Sequence, residues 1–334
     1  MRTRPFRPKR GAGGGSPRSG ARGLAVGATA LLLLGVTGVA ACRVADTDAV
    51  TPVPQLLAFL PWLLLPTSLG LLLTLLTRWW PGLFWGTAVL AVLGWFTVPH
   101  GYGGGTPAGP PLATLRVLTS NVEFGNGTPS LVPQIRRAKP DVVFVEECEY
   151  TCQATLKRET DYPYRTAVVA GGSTGSLLLS RFPLRATDGV PGTMGMPGAV
   201  ADVDGHPVRL QLAHPMPPLP GQVALWRREL GRLRDFAAAD TRTPTILAGD
   251  FNSSQDHAAF RRILAAGDLK DSARLSGAAR TASWPAPTAA VFGAQIDHVL
   301  VSRDFTATGA RFLRLADTDH RALVVDITLH RHKP

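Results

Sequence analysis

Between Leu24 and Pro99 the chain carries only four charges, Arg43, Asp46, Asp48 and Arg78. The uncharged runs they bound are 24–42, 49–77 and 79–99. Each is long enough for the roughly 20 apolar residues that cross the hydrocarbon core of a bilayer. Burying so much apolar surface inside a small soluble body would leave nothing polar to face water. The expectation is therefore three transmembrane helices at about 24–42, 54–76 and 80–98. Residues 1–23 hold seven basic residues and no acid among Gly, Ser and Pro, a composition that cannot offset its ordering entropy and reads as a disordered tail.

The basic residues also set an orientation. Seven precede the first run and Arg78 follows the second, whereas 43–48 is net negative. Positive charge stays inside, so the N-terminus and Arg78 face the cytoplasm, and an odd number of spans places everything after residue 100 outside. Trp79, Trp80, Trp85 and Trp95 suit interfacial anchors. Val39-Ala40-Ala41-Cys42 is similar to a bacterial lipoprotein signal. The simpler reading is a cysteine at a helix end, and both leave the downstream domain outside.

The formal charge of +11 belongs mostly to this first part. The tail, Arg43 and Arg78 hold nine of the 35 basic residues, and Asp46 and Asp48 are two of the 24 acids, leaving +4 for the rest. That balance excludes a dedicated nucleic-acid binder. Residues 100–111 form a Gly/Pro linker without the Lys and Ser/Thr of a phosphate-binding loop. Residues 112–334 suit one domain with its own core.

Strand-like runs fall at 115–120, 141–146, 166–170, 175–180, 207–213, 244–249, 296–302 and 322–328. Helical patterns fit 129–138, 147–157, 221–239 and 255–266. Many strands with fewer helices argue for α/β layers around two packed sheets. Cys148 and Cys152 lie four residues apart within one helical pattern, where a bridge would be near its geometric limit. An oxidising exterior permits a disulfide there, the simpler reading is two unbridged cysteines, and two are too few for a zinc site.

Polar clusters sit at the ends of the apolar runs: Asn121, Glu147, Asp250 with Asn252, and Asp319 with His320. Asn121, Glu147 and the aspartates are hard oxygen groups that suit magnesium or manganese, and no Cys/His pair has zinc spacing. His214 and His320 titrate near working pH, and Asp297 precedes a strand where it could hold an imidazole in one tautomer. Taken singly, Asp-x-Asn is turn chemistry, Glu147 a helix N-terminal acid and Asp319-His320 a loop. Their joint occurrence in one domain points to a metal-dependent active site.

From Leu115 to about Leu329 the sequence resembles the endonuclease/exonuclease/phosphatase superfamily. Asn121 in LTSNVEFGN, Glu147 in PDVVFVEE, the hairpin GSLLLSRFPL, His214 in QLAHPMPP, Asp250 and Asn252 in GDFN, Asp297 in QIDHVLVS and Asp319-His320 in TDHRALVVDI carry the resemblance. Glu146 departs from the usual Gln, adding negative charge beside Glu147, and His298 stands where an aromatic is common. The resemblance implies a four-layer, DNase I-like α/β sandwich behind the three-helix anchor. It also implies hydrolysis of a phosphate ester with magnesium or manganese. Glu147, Asn121 and Asp319 would serve the metal; His214, Asp250, Asn252, Asp297 and His320 would be catalytic, with either Asp250 or His320 as base.

The anchor and the HPMPP segment are further similar to membrane-bound actinobacterial members, including the teicoplanin-resistance VanJ type. The expected partners are then the lipid bilayer and a phosphorylated lipid or envelope precursor. A tethered nuclease, with Arg227, Arg228, Arg232 and Arg234 as a stripe for nucleic acid, and an inactive partner-binding domain are the alternatives. Trp284 either lines the substrate mouth or packs in the core.

Overall fold

The computed structural model describes residues 17–98, 109–289 and 291–331, so most of the expected tail and linker lie outside the described residues. The chain forms two compact units: residues 1–40 with 61–97, and residues 41–60 with 98–334.

In chain order the first helices are α1 (Pro17–Val44), α2 (Val53–Ala58), a 3-10 turn Leu60–Leu63, α3 (Leu64–Leu76) and α4 (Trp80–Thr97). Helix α1 begins inside the stretch expected as tail. Among the described residues, two helices are long and apolar enough to cross a membrane, Gly20–Val44 and Trp80–Thr97. The expected middle span, 54–76, is not one helix. Pro61 has no N–H to continue a helical ladder, so α2 stops and the apolar helix that follows, Leu60–Leu76, is shorter. Residues 54–60 belong instead to the second unit. Within the first unit, Trp85 Nε1 donates to Thr37 Oγ1 at 2.9 Å. Gly86 admits Leu71 of α3 where a Cβ would stand 2.8 Å from its Cδ2, the close approach small residues give apolar helices.

The second unit is built on β-branched and leucine-rich runs. Its elements are β1 (Pro111–Asn121), α5 (Thr128–Ala138), β2 (Val142–Glu146), α6 (Tyr150–Glu159), β3 (Tyr164–Val168), β4 (Ser176–Ser180), β5 (Leu184–Thr187), β6 (Gly198–Val203) and β7 (His206–Ala213). There follow α7 (Val223–Ala239), β8 (Thr245–Asp250), α8 (Ala258–Gly267), β9 (Leu269–Asp271), α9 (Ser272–Leu275), β10 (Asp297–Ser302), β11 (Phe305–Arg314) and β12 (Arg321–His330). One sheet runs β11-β12-β1-β2-β4-β3 and the other β5-β6-β7-β8-β10-β9. Each has a central parallel pair, β1 with β2 and β7 with β8, flanked by antiparallel neighbours.

Val117, Phe144 and Leu178 of the first sheet meet Leu210, Ile246 and Val299 of the second in the central core. Helices α5 and α6 cover the outer face of the first sheet through Leu131, Ile135 and Leu156. Helices α7 and α8 cover the second through Trp226, Leu230 and Phe260. The four layers expected from the resemblance are present. Because strands β2, β4 and β8 are buried on both faces, they read as unbroken apolar runs.

Cys148 and Cys152 are bridged, with Cα atoms 5.1 Å apart, against expectation. Helix α6 starts only at Tyr150. Glu149 caps it by accepting from the Thr151 and Cys152 N–H groups at 2.9 and 3.0 Å. Cys148 therefore lies outside the helix, and the separation set by a single helix does not apply.

Candidate active site

The parallel pairs end at a common edge. Asn121 is paired with Glu146, Ala213 with Gly249, and Asp250 with Asp297, so polar residues at the ends of β1, β2, β7, β8 and β10 emerge together. His320 precedes β12 at the same edge. The backbone bends sharply there. Glu147 and Asn252 adopt φ of 55° and 47°, and Gly249 has φ of 147°. A Cβ on Gly249 would stand 2.1 Å from the Ala213 carbonyl oxygen, so only glycine lets β7 and β8 close here.

Asn121 joins the two sheets. Its Nδ2 donates to Glu147 Oε1 at 3.1 Å and to Asp250 Oδ2 at 3.3 Å, while its Oδ1 accepts the Glu123 N–H at 3.0 Å. In this arrangement the amide orients two carboxylates with its N–H groups, and its oxygen is used locally. Glu147 Oε2 accepts the Phe124 N–H at 3.1 Å. Burial raises the Glu147 carboxyl above its usual range, opposed by the bonds from Asn121 and Phe124.

Asp250 is buried and accepts the Asn252 N–H at 2.8 Å. Burial, reinforced by Asp297 and opposed by His320, raises its carboxyl above the usual range. Asn252 turns its Nδ2 to the Pro215 carbonyl at 3.0 Å and so fixes the loop carrying His214. His320 Nδ1 lies 2.9 Å from Asp297 Oδ2, and its Nε2 lies 3.7 Å from both Asp250 Oδ2 and Asp319 Oδ1. Burial opposes its charge, but Asp297, Asp250 and Asp319 outweigh that and push the imidazole up to about 10. His214 is the opposite case. Its Nε2 stands 3.8 Å from Glu147 and 3.9 Å from Asp250, yet burial and the nearby His320 push it down to about 3. The site thus holds one charged and one neutral imidazole.

Asp250, Asp297 and His320 bring ligand atoms within 4.8 Å of one another. With His320 Nδ1 turned to Asp297 at 2.9 Å, the trio also has the arrangement of a proton relay, an acid holding an imidazole that faces the second acid. The oxygen donors that fit a hard dication are Glu147 and Asp250, with Asp319 at the rim. Burial opposes charge on the first two carboxyls, and a bound dication would offset that opposition.

Glu146 does not add charge beside Glu147 as expected. It is fully buried, accepts from Thr119 Oγ1 at 3.1 Å, and its carboxyl is raised well above the usual range by burial, Asp297 and Asp250, which opposes its charge. His298 is likewise structural, held between Asp271 Oδ2 at 2.8 Å and the Ser253 carbonyl at 3.0 Å. Trp284 lines the mouth and donates to Asp319 Oδ2 at 2.8 Å.

These groups open into a cavity of about 500 Å³. Glu147, His214, Asp250, Asn252, Asp319 and His320 line its polar side. Its other walls include residues the sequence did not single out: Phe124, Met194, Met216, Leu219, and Gln55, Ala58 and Phe59 from the segment after α1. Glu123 also joins the site, accepting the Asp319 N–H at 2.9 Å. The sequence marked Glu123, Phe124 and Met216 only as parts of motifs and placed Gln55, Ala58 and Phe59 in a membrane span, so none was read as lining the site.

Similar architecture occurs in an endonuclease/exonuclease/phosphatase from Beutenbergia cavernae (19% identity, 66% of this chain and 72% of that chain, TM-score 0.50). It recurs in one from Bacteroides vulgatus (14% identity, 66% and 100%, TM-score 0.53). A humanized D. rerio TDP2 aligns at 15% identity over 64% and 98%, with TM-score 0.52. No curated protein matches the sequence. Residues 118–320 match the model of the Endonuclease/Exonuclease/phosphatase family, and with the sandwich and its polar edge in place the chain belongs to that family of phosphodiester hydrolases.

Proposed function

We propose that this chain is a membrane-anchored, metal-dependent phosphoesterase acting at the outer face of the cell membrane on a lipid-linked or cell-envelope phosphate. One observation carries the reading: residues 41–60, between apolar helices, form one compact body with 98–334. The chain therefore leaves that body at residue 61 and returns to it by residue 98. If α4 crosses the bilayer, the preceding apolar stretch Leu60–Leu76, near 17 residues, must cross as well. At 1.5 Å per residue such a helix is at the short limit for spanning. With α1 this makes three crossings, and the basic N-terminus favours the cytoplasm.

The polar edge supports hydrolysis by in-line attack of water on phosphorus. Asp250, whose carboxyl is raised toward neutrality, accepts the water proton, with Asn252 holding its loop. His320, kept charged by Asp297, contacts a phosphoryl oxygen, and Asp319 supports it. His214, neutral, donates a hydrogen bond to the leaving oxygen. Glu147, aligned by Asn121, and Asp319 at the rim would hold magnesium or manganese, which supplies neutralisation of charge on the phosphoryl oxygens when bound.

A nuclease would need cationic side chains beside the scissile bond. Among the described residues, no Lys or Arg lines the cavity. Of the α7 stripe, Arg227 lies 3.3 Å from Asp48, Arg232 donates to the Pro191 carbonyl and Arg234 pairs with Asp235. In the lipid reading the product enters envelope precursor metabolism, and altered teicoplanin susceptibility is the expected phenotype. The test is phosphate release from polyprenyl diphosphate and phospholipid by the full chain in detergent with magnesium, beside plasmid cleavage. Turnover of lipid lost in Asp250→Ala and with chelator supports the reading; plasmid cleavage with the same dependence replaces it with a nuclease.

A further inference from the structure

Residues 41–60 are attached to the catalytic body far more firmly than a connection between two helices requires. Asp48 is fully buried; its Oδ2 accepts the Ala259 N–H at 2.7 Å and its Oδ1 lies 3.3 Å from Arg227 Nε. Arg43 lies 3.4 Å from Asp256, which also holds Arg280 at 2.6 and 3.0 Å. Asp46 pairs with Arg261 and, at 3.3 Å, with Arg262. His257 Nε2 lies 2.7 Å from the Pro54 carbonyl, and Gln55 donates to the Pro218 carbonyl in the loop after His214. Exposed pairs contribute little singly, but a buried Asp48 left unpaired would be costly, so the segment is fixed.

What this fixation presents is an apolar wall. Phe59 meets Trp284 with ring centroids 6.1 Å apart, and Trp284 donates to Asp319, which stands beside His320. Ala58 and Gln55 line the same cavity, facing Met194, Met216, Leu219 and Ile296. Polar atoms for phosphate and apolar surface are therefore continuous within one cavity, with aromatic and thioether groups that adapt to a flexible chain.

We infer that residues 55–59 form a specificity wall of the active site, with Phe59 contacting the first carbons of an alkyl or isoprenoid chain esterified to the scissile phosphate. The inference rests on the phosphoesterase reading and deepens it by naming what the substrate carries beyond phosphorus. Phe59 and Ala58 are specificity residues, because neither touches the reacting atoms. Each methylene buried against the wall is expected to raise kcat/KM about fourfold until the wall is covered.

The experiment uses the full chain in detergent with magnesium and the ethyl, hexyl and decyl phosphates as probes. In the unaltered protein kcat/KM climbs with chain length. In Phe59→Ala the decyl-to-ethyl ratio of kcat/KM falls about tenfold, through KM and not kcat, and in Ala58→Trp, which fills the wall, the ratio collapses further. A ratio that stays high in both variants overturns the wall and leaves the phosphoesterase reading standing. An equal loss on ethyl and decyl phosphate makes the segment merely structural and overturns the inference. A flat chain-length series in the unaltered protein overturns the wall while retaining a phosphoesterase, and no turnover of any phosphate removes both.

Discussion

Asp250 and Asp297 are directly opposed across the β8–β10 ladder, and His320 addresses both, at 3.7 Å through Nε2 and 2.9 Å through Nδ1. A cation is thereby held in a buried place where burial alone would discharge it.

The first prediction concerns that cation. Asp297→Asn removes the largest source of the upward shift that brings His320 to about 10. The raised value means the imidazolium stabilises the fold fully below the ordinary histidine pKa of about 6.5 and ceases to do so as pH rises through about 10. Asp297→Asn should cut kcat by about 10²–10⁴, by analogy with triads that lose their orienting acid, and move the alkaline limb of the pH–rate profile to lower pH. An unmoved alkaline limb would show that His320 is not the group titrating there.

Asp250 should trade stability for activity. Its raised carboxyl binds a proton more readily folded than unfolded. Stability of the metal-free protein therefore falls as pH climbs above the unfolded carboxylate pKa of about 4. Asp250→Asn should abolish turnover yet raise the melting temperature at pH 8 without metal, with the gain vanishing near pH 4. Thermal melts across that range decide it, and a destabilised variant at pH 8 refutes it.

Metal dependence should appear in stability as well as in rate. A dication bound only to the folded state adds stability that grows with its concentration, about 2.7 kcal/mol at a hundredfold excess over Kd. Magnesium should raise the melting temperature of the unaltered chain and leave Glu147→Gln nearly unmoved. A full shift in the variant would place the ion away from Glu147.

Gly249→Ala tests the closure of β7 on β8. The added methyl meets a backbone oxygen at 2.1 Å in a φ of 147°, so nothing flexible can yield. A loss of about 3 kcal/mol in urea unfolding is expected, the upper range of a single strained substitution. A loss under about 1 kcal/mol would mean the strands separate cheaply there.

The sequence revealed most where one physical demand acted alone. Val142–Val145 and Thr245–Ala248 read as strands because burial on both faces requires unbroken apolar residues. Strand β6, Gly198–Val203, and the long β11, Phe305–Arg314, passed unread, since small residues and half-exposed threonines resemble loop. The polar residues of the edge were legible as motifs, and Asn121, Glu147, His214, Asp250, Asn252, Asp297 and His320 do meet. Their states were not: the Glu146 carboxyl is raised by burial and by Asp297 and Asp250, surroundings that only folding supplies. Phe59 was unreadable for a different reason, because an apolar run looks the same whether it serves a bilayer or a cavity.

Glu147 directly follows β2 of one sheet and Asp250 ends β8 of the other, with Asn121 spanning them at 3.1 and 3.3 Å. The gap between the two carboxylates is therefore measured out by the packed side chains between the sheets, Phe144 and Leu212 among them. The hydrophobic centre of the sandwich works as a caliper: a methyl group gained or lost far below the cavity resets the distance at its mouth. The core thus sets the spacing of groups it never touches.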